Sequence, residues 1–150
     1  EQSRVVTVIP VADEYPLRNY DWVTANRGKV DQLSGGKLAY IYLPETSENG
    51  YEIFNREFYA QLDKQGLIID ERFNSGGVAA DYIIDILRKS PLYKVILRES
   101  EDVSMPMGVI GGPRVMIINE VSGSGGDSLP FMFRAARLGL LWESGLLARE

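Results

Sequence analysis

Short apolar runs closed by proline or glycine alternate, along this chain, with longer segments whose apolar residues return every three or four positions. That alternation limits the fold more than any single motif does. Residues 38–43 are entered from a double glycine and stopped by Pro44, and residues 67–69 follow Gly66, so both read as buried strands. Residues 94–97 and 115–118 repeat the pattern, and residues 5–9, ended by Pro10, are a further strand candidate. Between them, Leu17, Tyr20, Val23, Val30 and Leu33 keep mainly helical spacing up to Ser34-Gly35-Gly36. Ile53, Phe54, Phe58, Tyr59 and Leu62 predict a helix running to about Lys64 after a turn at Asn49-Gly50. Ala79, Tyr82, Ile83, Ile86 and Leu87 predict the next, with Arg88 and Lys89 at its negative end and Pro91 beyond. Leu129, Phe131, Met132, Phe133 and Leu138 mark the last. Strands alternating with helices predict an α/β domain with a mostly parallel sheet and flanking helices.

Composition narrows the function. A chain of 150 residues with 45% hydrophobic and 25% charged residues can bury one core without staples. The formal charge of −5 and the lack of a basic block argue against a nucleic-acid partner. No apolar run approaches the roughly 20 residues of a spanning helix. With no cysteine, disulfides and thiolate chemistry are excluded, and either a reducing or an oxidising compartment remains compatible. The absence of histidine weighs more, because histidine is the usual base for a serine nucleophile and the commonest metal ligand. No cofactor or metal is therefore expected, and serine chemistry here needs a base from elsewhere.

In open α/β sheets ligands bind beyond the carboxyl ends of strands, which singles out the loops 70–77 and 119–127. Both are rich in glycine, which lets the backbone approach a ligand and turns main-chain N–H groups into donors. Ser124 stands in Ser122-Gly123-Ser124-Gly125-Gly126-Asp127, at a strand-to-helix turn where a helix N-terminus favours negative charge. A Gly-x-Ser-x-Gly elbow would need glycine where Ser122 stands. Spacing alone also fits a glycine-rich helix start capped by Asp127 or a serine, or an anion cradle, although no P-loop lysine follows. Asp70, Glu71 and Arg72 read as a structural charge cluster in which Arg72 pairs with a carboxylate.

Two stretches, Leu67-Ile68-Ile69-Asp70-Glu71-Arg72-Phe73-Asn74-Ser75-Gly76-Gly77 and Ile117-Ile118-Asn119-Glu120-Val121-Ser122-Gly123-Ser124-Gly125-Gly126-Asp127, resemble the core of the tricorn-like branch of the tail-specific (C-terminal processing) serine peptidases. Tyr20-Asp21-Trp22-Val23 and residues 36–44 support the likeness, which covers about residues 5–140. The resemblance implies a ClpP/crotonase-like core that hydrolyses peptide bonds. It makes Ser124 the nucleophile, Gly125 and Gly76 the oxyanion-hole donors, and Gly77 a substrate-binding position. It also implies that residues 1–10 end an upstream PDZ-like domain and that 11–150 are the peptidase core.

Departures qualify those expectations. The family's histidine lies upstream and its activating acid downstream, so neither has a counterpart here. After Gly139 the familiar pattern dissolves, leaving an atypical tail from about residue 140. A segment inactive on its own is the expectation, with peptide or unfolded protein as substrate and self-association as a further expectation. The alternative is a non-catalytic peptide- or lipid-binding module of the same fold, suggested by the apolar loop carrying Val103, Met105, Met107, Val109 and Ile110.

Overall fold

In a computed structural model, which describes residues 5–100 and 102–143, the expected alternation becomes helix α1 (Tyr15–Ser34), strand β1 (Leu38–Tyr42), α2 (Glu48–Tyr59), β2 (Gly66–Asp70) and α3 (Ala80–Arg88). The short strands β3 (Tyr93–Val95) and β4 (Val103–Met105) follow, then β5 (Arg114–Ile118), α4 (Gly125–Ala135) and β6 (Leu140–Glu143). Strands β1, β2, β5 and β6 form one sheet in the order β1-β2-β5-β6, parallel at every pairing. The remaining pair, β3 and β4, is a separate antiparallel ribbon.

Strand side chains alternate between faces, and here the two faces have different tasks. Ala39, Ile41, Leu43, Leu67, Ile69 and Met116 point to one side, where they pack with Phe54 and Phe58 of α2, Ile83 and Leu87 of α3, and Leu129 and Phe133 of α4. These side chains are almost fully buried, and burying each contributes roughly 1.5–3 kcal/mol.

The other face is held by specific contacts instead. Helix α1 has no fully buried residue, and of its apolar side chains only Trp22, Val23 and Val30 are half-buried, so burial alone docks it weakly. Its Trp22 stands edge-on to Tyr42 and Phe73, with ring centres 5.2 and 6.1 Å apart, and the Arg72 guanidinium lies 4.7 Å over the indole. Arg72 also grips Asp70, Nε to Oδ1 at 2.8 Å and Nη2 to Oδ2 at 2.5 Å, as its motif suggested. The Tyr40 hydroxyl donates to the same carboxylate at 2.8 Å. Burial, and then the charge of Asp70, pushes the Tyr40 phenol well above its usual range, so it stays a donor.

Several expectations change. Residues 5–9 carry no strand: Val5, Val8 and Ile9 are exposed, and a β-branched run forms no ladder without a neighbour to pair with. Asn49-Gly50 lies inside α2, and the helix ends at Tyr59. Gly50 is required by packing, because a Cβ there would overlap the Glu45 carbonyl. The strand expected at 94–97 begins one residue earlier and pairs with β4 outside the main sheet. The sequence departure beyond Gly139 does not interrupt the fold, since β6 adds to the sheet there; residues 144–150 of that tail lie outside the described residues.

Removing the Arg72 side chain would leave the buried Asp70 carboxylate with two neutral donors, the Tyr40 hydroxyl and the backbone N–H of position 72, and take the cation off Trp22. Arg72→Ala is expected to cost about 3 kcal/mol in urea unfolding, and Arg72→Lys, which lacks the planar fork, to recover only part of it. A loss below about 1 kcal/mol would remove this cluster as the anchor of α1.

Candidate active site

Because β2 and β5 are neighbours in the sheet, the loops leaving their carboxyl ends meet side by side. Several hydrogen bonds fasten them. Phe73 N–H donates to Asn119 Oδ1 at 3.0 Å, Gly123 N–H to the Asn74 carbonyl at 3.1 Å, and the Ser122 hydroxyl to the Glu71 carbonyl at 3.0 Å.

Asn74, fully buried, is the centre of this arrangement. Its Nδ2 donates to the Leu43 carbonyl at the end of β1, 3.2 Å away, and its Oδ1 accepts from Gly76 N–H at 2.8 Å. The second bond is a side-chain-to-backbone turn of the kind asparagine forms two residues ahead. Around it, Ser75 N–H reaches the Pro44 carbonyl at 2.9 Å and Thr46 N–H the Gly76 carbonyl at 2.8 Å. In the sequence Asn74 stands out only as part of a motif. The signal available was an asparagine two positions before a glycine.

Gly76 and Ser124 are brought into direct contact. A Cβ on Gly76 would lie 2.8 Å from the Ser124 Cβ, 2.9 Å from the Gly123 carbonyl oxygen and 3.1 Å from Gly125 N, and φ at Gly76 is +93°. Only glycine fits there. Gly125 is equally confined, its missing Cβ directed at the Gly77 carbonyl and the Thr46 hydroxyl. Ser124 itself is exposed and precedes α4 with φ +56° and ψ −113°, an uncommon backbone conformation for a residue with a side chain. The turn is thus a strained strand-to-helix elbow even though Ser122 breaks the glycine signature.

The amides divide unevenly. Gly76 N–H, expected to be free, is taken up by Asn74 Oδ1. Among the described residues, Gly77 N–H and Gly125 N–H donate to no acceptor, and Gly77 N packs against Gly125. Gly125 also begins α4, where unpaired N–H groups and the helix dipole favour negative charge. No described group accepts from or donates to the Ser124 hydroxyl, and no grouping of residues that could hold a metal occurs among the described residues. The apolar loop weighed for lipid binding is largely consumed by the fold: Val103 and Met105 lie in β4 and Ile110 is in the core, while Met107 stays exposed.

Beneath the elbow lies Glu71, which the sequence had suggested only as part of a charge cluster. It is fully buried, and neither carboxyl oxygen has a hydrogen-bond partner among the described residues. Burial, and then the negative charges of Asp127 and Asp70, raises it from 4.5 to about 9. Between those two values the unfolded chain ionises at this position while the folded chain keeps its proton. Folding stability therefore falls as pH rises through that window. Glu71→Gln is expected to be about 3 kcal/mol more stable than the parent near pH 7, with the gain vanishing below about pH 4.5. Urea titrations across pH check this; equal stability at neutral pH would contradict it.

Comparison with known proteins places the sequence and the fold among known families. Residues 37–142 match the model of peptidase family S41. The chain is 35% identical over 129 residues to the tricorn protease of Thermoplasma acidophilum, covering 86% of this chain and 12% of that protein. It is 32% identical over 138 residues to tricorn protease homolog 1 of Streptomyces coelicolor, covering 92% of this chain and 13% of the relative. A crystal structure of the tricorn protease superposes with a TM-score of 0.83 at 33% identity, over 92% of this chain and 14% of that one. The chain thus spans a small part, 12–16%, of the curated relatives it matches. With more than half of its residues inside the family match, and both glycine-bearing loops meeting at Ser124, the chain belongs to peptidase family S41.

Proposed function

We propose that this chain is the nucleophile-bearing core of a serine peptidase, in which Ser124 attacks the carbonyl of a peptide bond. The contact between Gly76 and Ser124 carries the reading, because it puts amides from two loops beside one exposed hydroxyl. Attack converts the carbonyl oxygen to an oxyanion while a bond forms from Ser124 Oγ to the carbonyl carbon. Gly125 N–H supplies one donor to that oxygen and the Gly76-Gly77 turn the other. Within the turn Gly76 must exchange Asn74 Oδ1 for the oxyanion, whereas Gly77 has no partner to give up. Losing one such donor costs on the order of 10²- to 10³-fold in rate.

The proton of the Ser124 hydroxyl needs a base, and the chain has no histidine. We assign that role to a histidine outside these 150 residues, together with an acid that is likewise supplied from elsewhere. Residues 1–10 are assigned to the end of an upstream PDZ-like domain and 11–150 to the peptidase core. The exposed apolar residues of 5–9 support a contact with a neighbouring domain. Substrates on this reading are peptides or unfolded proteins, and exposed apolar residues such as Leu17, Tyr20 and Leu33 on α1 favour association with further protein surface, including a second copy. No described helix is long and apolar enough to cross a membrane.

The isolated chain is expected to hydrolyse peptides no faster than background, since losing members of a serine triad costs up to roughly 10⁶-fold. Added imidazole, in place of the missing base, is expected to raise cleavage of an activated ester at least about tenfold above that of Ser124→Ala. Equal rates for the two proteins would remove Ser124 as nucleophile. Saturable lipid binding unchanged by Ser124→Ala, without serine-dependent turnover, would favour the binding-module reading.

A further inference from the structure

Strand β1 is the edge of the main sheet, and its outward backbone groups are treated in two ways. Leu43 N–H bonds to the Asp70 carbonyl of β2, so the alternate residues Tyr40 and Tyr42 turn their N–H and C=O groups away from the sheet. At Tyr40 the edge is plugged. Gln61 Oε1 accepts from Tyr40 N–H at 3.1 Å, and Gln61 Nε2 donates to the Tyr40 carbonyl at 3.2 Å, so one side chain imitates a neighbouring strand. At Tyr42 nothing among the described residues pairs with either group. A short edge that is blocked at one position and left open at the next has a use for the opening.

The opening lies in a cleft of about 560 Å³ between α1 and α2, of which Tyr42 and Pro44 form part of the lining. Tyr20 and Val23 of α1 and Ile53 of α2 make its apolar walls. At one side two guanidiniums share one carboxylate: Arg27 is paired with Glu57 at 2.5 Å, and Arg56, 3.4 Å from the same Glu57, is 69% exposed. The lining therefore carries one positive charge in excess. The cleft also touches the candidate active site through the backbone, since the Pro44 carbonyl accepts from Ser75 N–H, one residue from the Gly76 that meets Ser124. An extended peptide advances about 3.3 Å per residue, so a segment in the cleft is a few residues from the bond at Ser124.

We propose that this cleft binds an extended peptide, which adds to β1 at Tyr42 as a strand, places an apolar or aromatic side chain between α1 and α2, and sets an acidic residue against Arg56. The inference rests on the peptidase reading and names the substrate segment that reading needs: a stretch a few residues from the scissile bond, held by main-chain pairing and selected by one pocket and one charge. An unpaired donor and acceptor on one residue are complementary to another peptide backbone, which a fatty chain could not satisfy.

The test uses the Ser124→Ala form of the chain, so that binding is read without cleavage. A capped peptide with a central phenylalanine and a nearby glutamate is titrated while amide signals and hydrogen exchange are followed by NMR. Saturable shifts at Val23, Tyr42 and Ile53 are expected, with exchange at the Tyr42 amide slowed at least about tenfold. Replacing the peptide's pairing N–H by N-methyl is expected to weaken binding about tenfold. Arg56→Glu, a change on an exposed side chain, is expected to weaken it about fivefold, and to favour a peptide with lysine in place of the glutamate. Failure to saturate at millimolar peptide, or saturation with the Tyr42 amide still exchanging freely, overturns the proposal. So does protection of that amide in the peptide-free chain, which would mean that residues 5–9 or another copy already occupy the edge. None of these outcomes bears on the ester test of Ser124, so the two readings fail separately.

Discussion

The buried side chain of Asn74 fixes the relation between the parts of this protein that could do chemistry. One amide group spans the end of β1 and the turn at Gly76, while the backbone of the same residue receives Gly123 from the loop after β5. A fully buried amide left without partners would cost a few kcal/mol, so each bond constrains the others. The result is that three neighbouring strand ends meet at one residue, and Gly76 is pressed against Ser124. Parallel strand order makes the meeting feasible, since only adjacent strands running the same way release their loops at the same rim.

The two acidic residues at the end of β2 show how the pleat separates chemistry. Asp70 turns to the α1 side, where Arg72, Tyr40 and the ring of Trp22 assemble around it. Its neighbour Glu71 turns the other way and finds no hydrogen-bonding group among the described residues. One carboxyl group is thus held in an ion pair and anchors a helix, and the next retains its proton close to the elbow. Sequence adjacency therefore says little about shared function on a strand.

Much of the frame was legible from periodicity. The runs at 38–43, 67–69 and 115–118 are apolar on both faces, as strands of a covered parallel sheet must be, and the helical stripes of α2 to α4 supply most of the core. What could not be read were features decided by contacts between distant residues. Gly50 looks like a turn residue but sits in a helix that passes the Glu45 carbonyl closely. Residues 5–9 have the composition of a strand and no neighbour to pair with. Of the site, the two loops, the serine and the confined glycines were visible, whereas the capture of Gly76 N–H by Asn74 and the strained backbone of Ser124 arise only from the folded geometry. The glycine-based elbow signature missed the turn because Ser122, in place of glycine, bonds through its hydroxyl to the Glu71 carbonyl.

The contact between Gly76 and Ser124 holds the site together, and a nuclear Overhauser measurement on the labelled chain probes it without requiring turnover. The two loops held by Asn74 should give a strong cross-peak between the Gly76 α-protons and the Ser124 β-protons, lost when Asn74→Ala releases the turn. Absence of that cross-peak in the folded parent chain would separate the loops and leave the serine without its oxyanion donors.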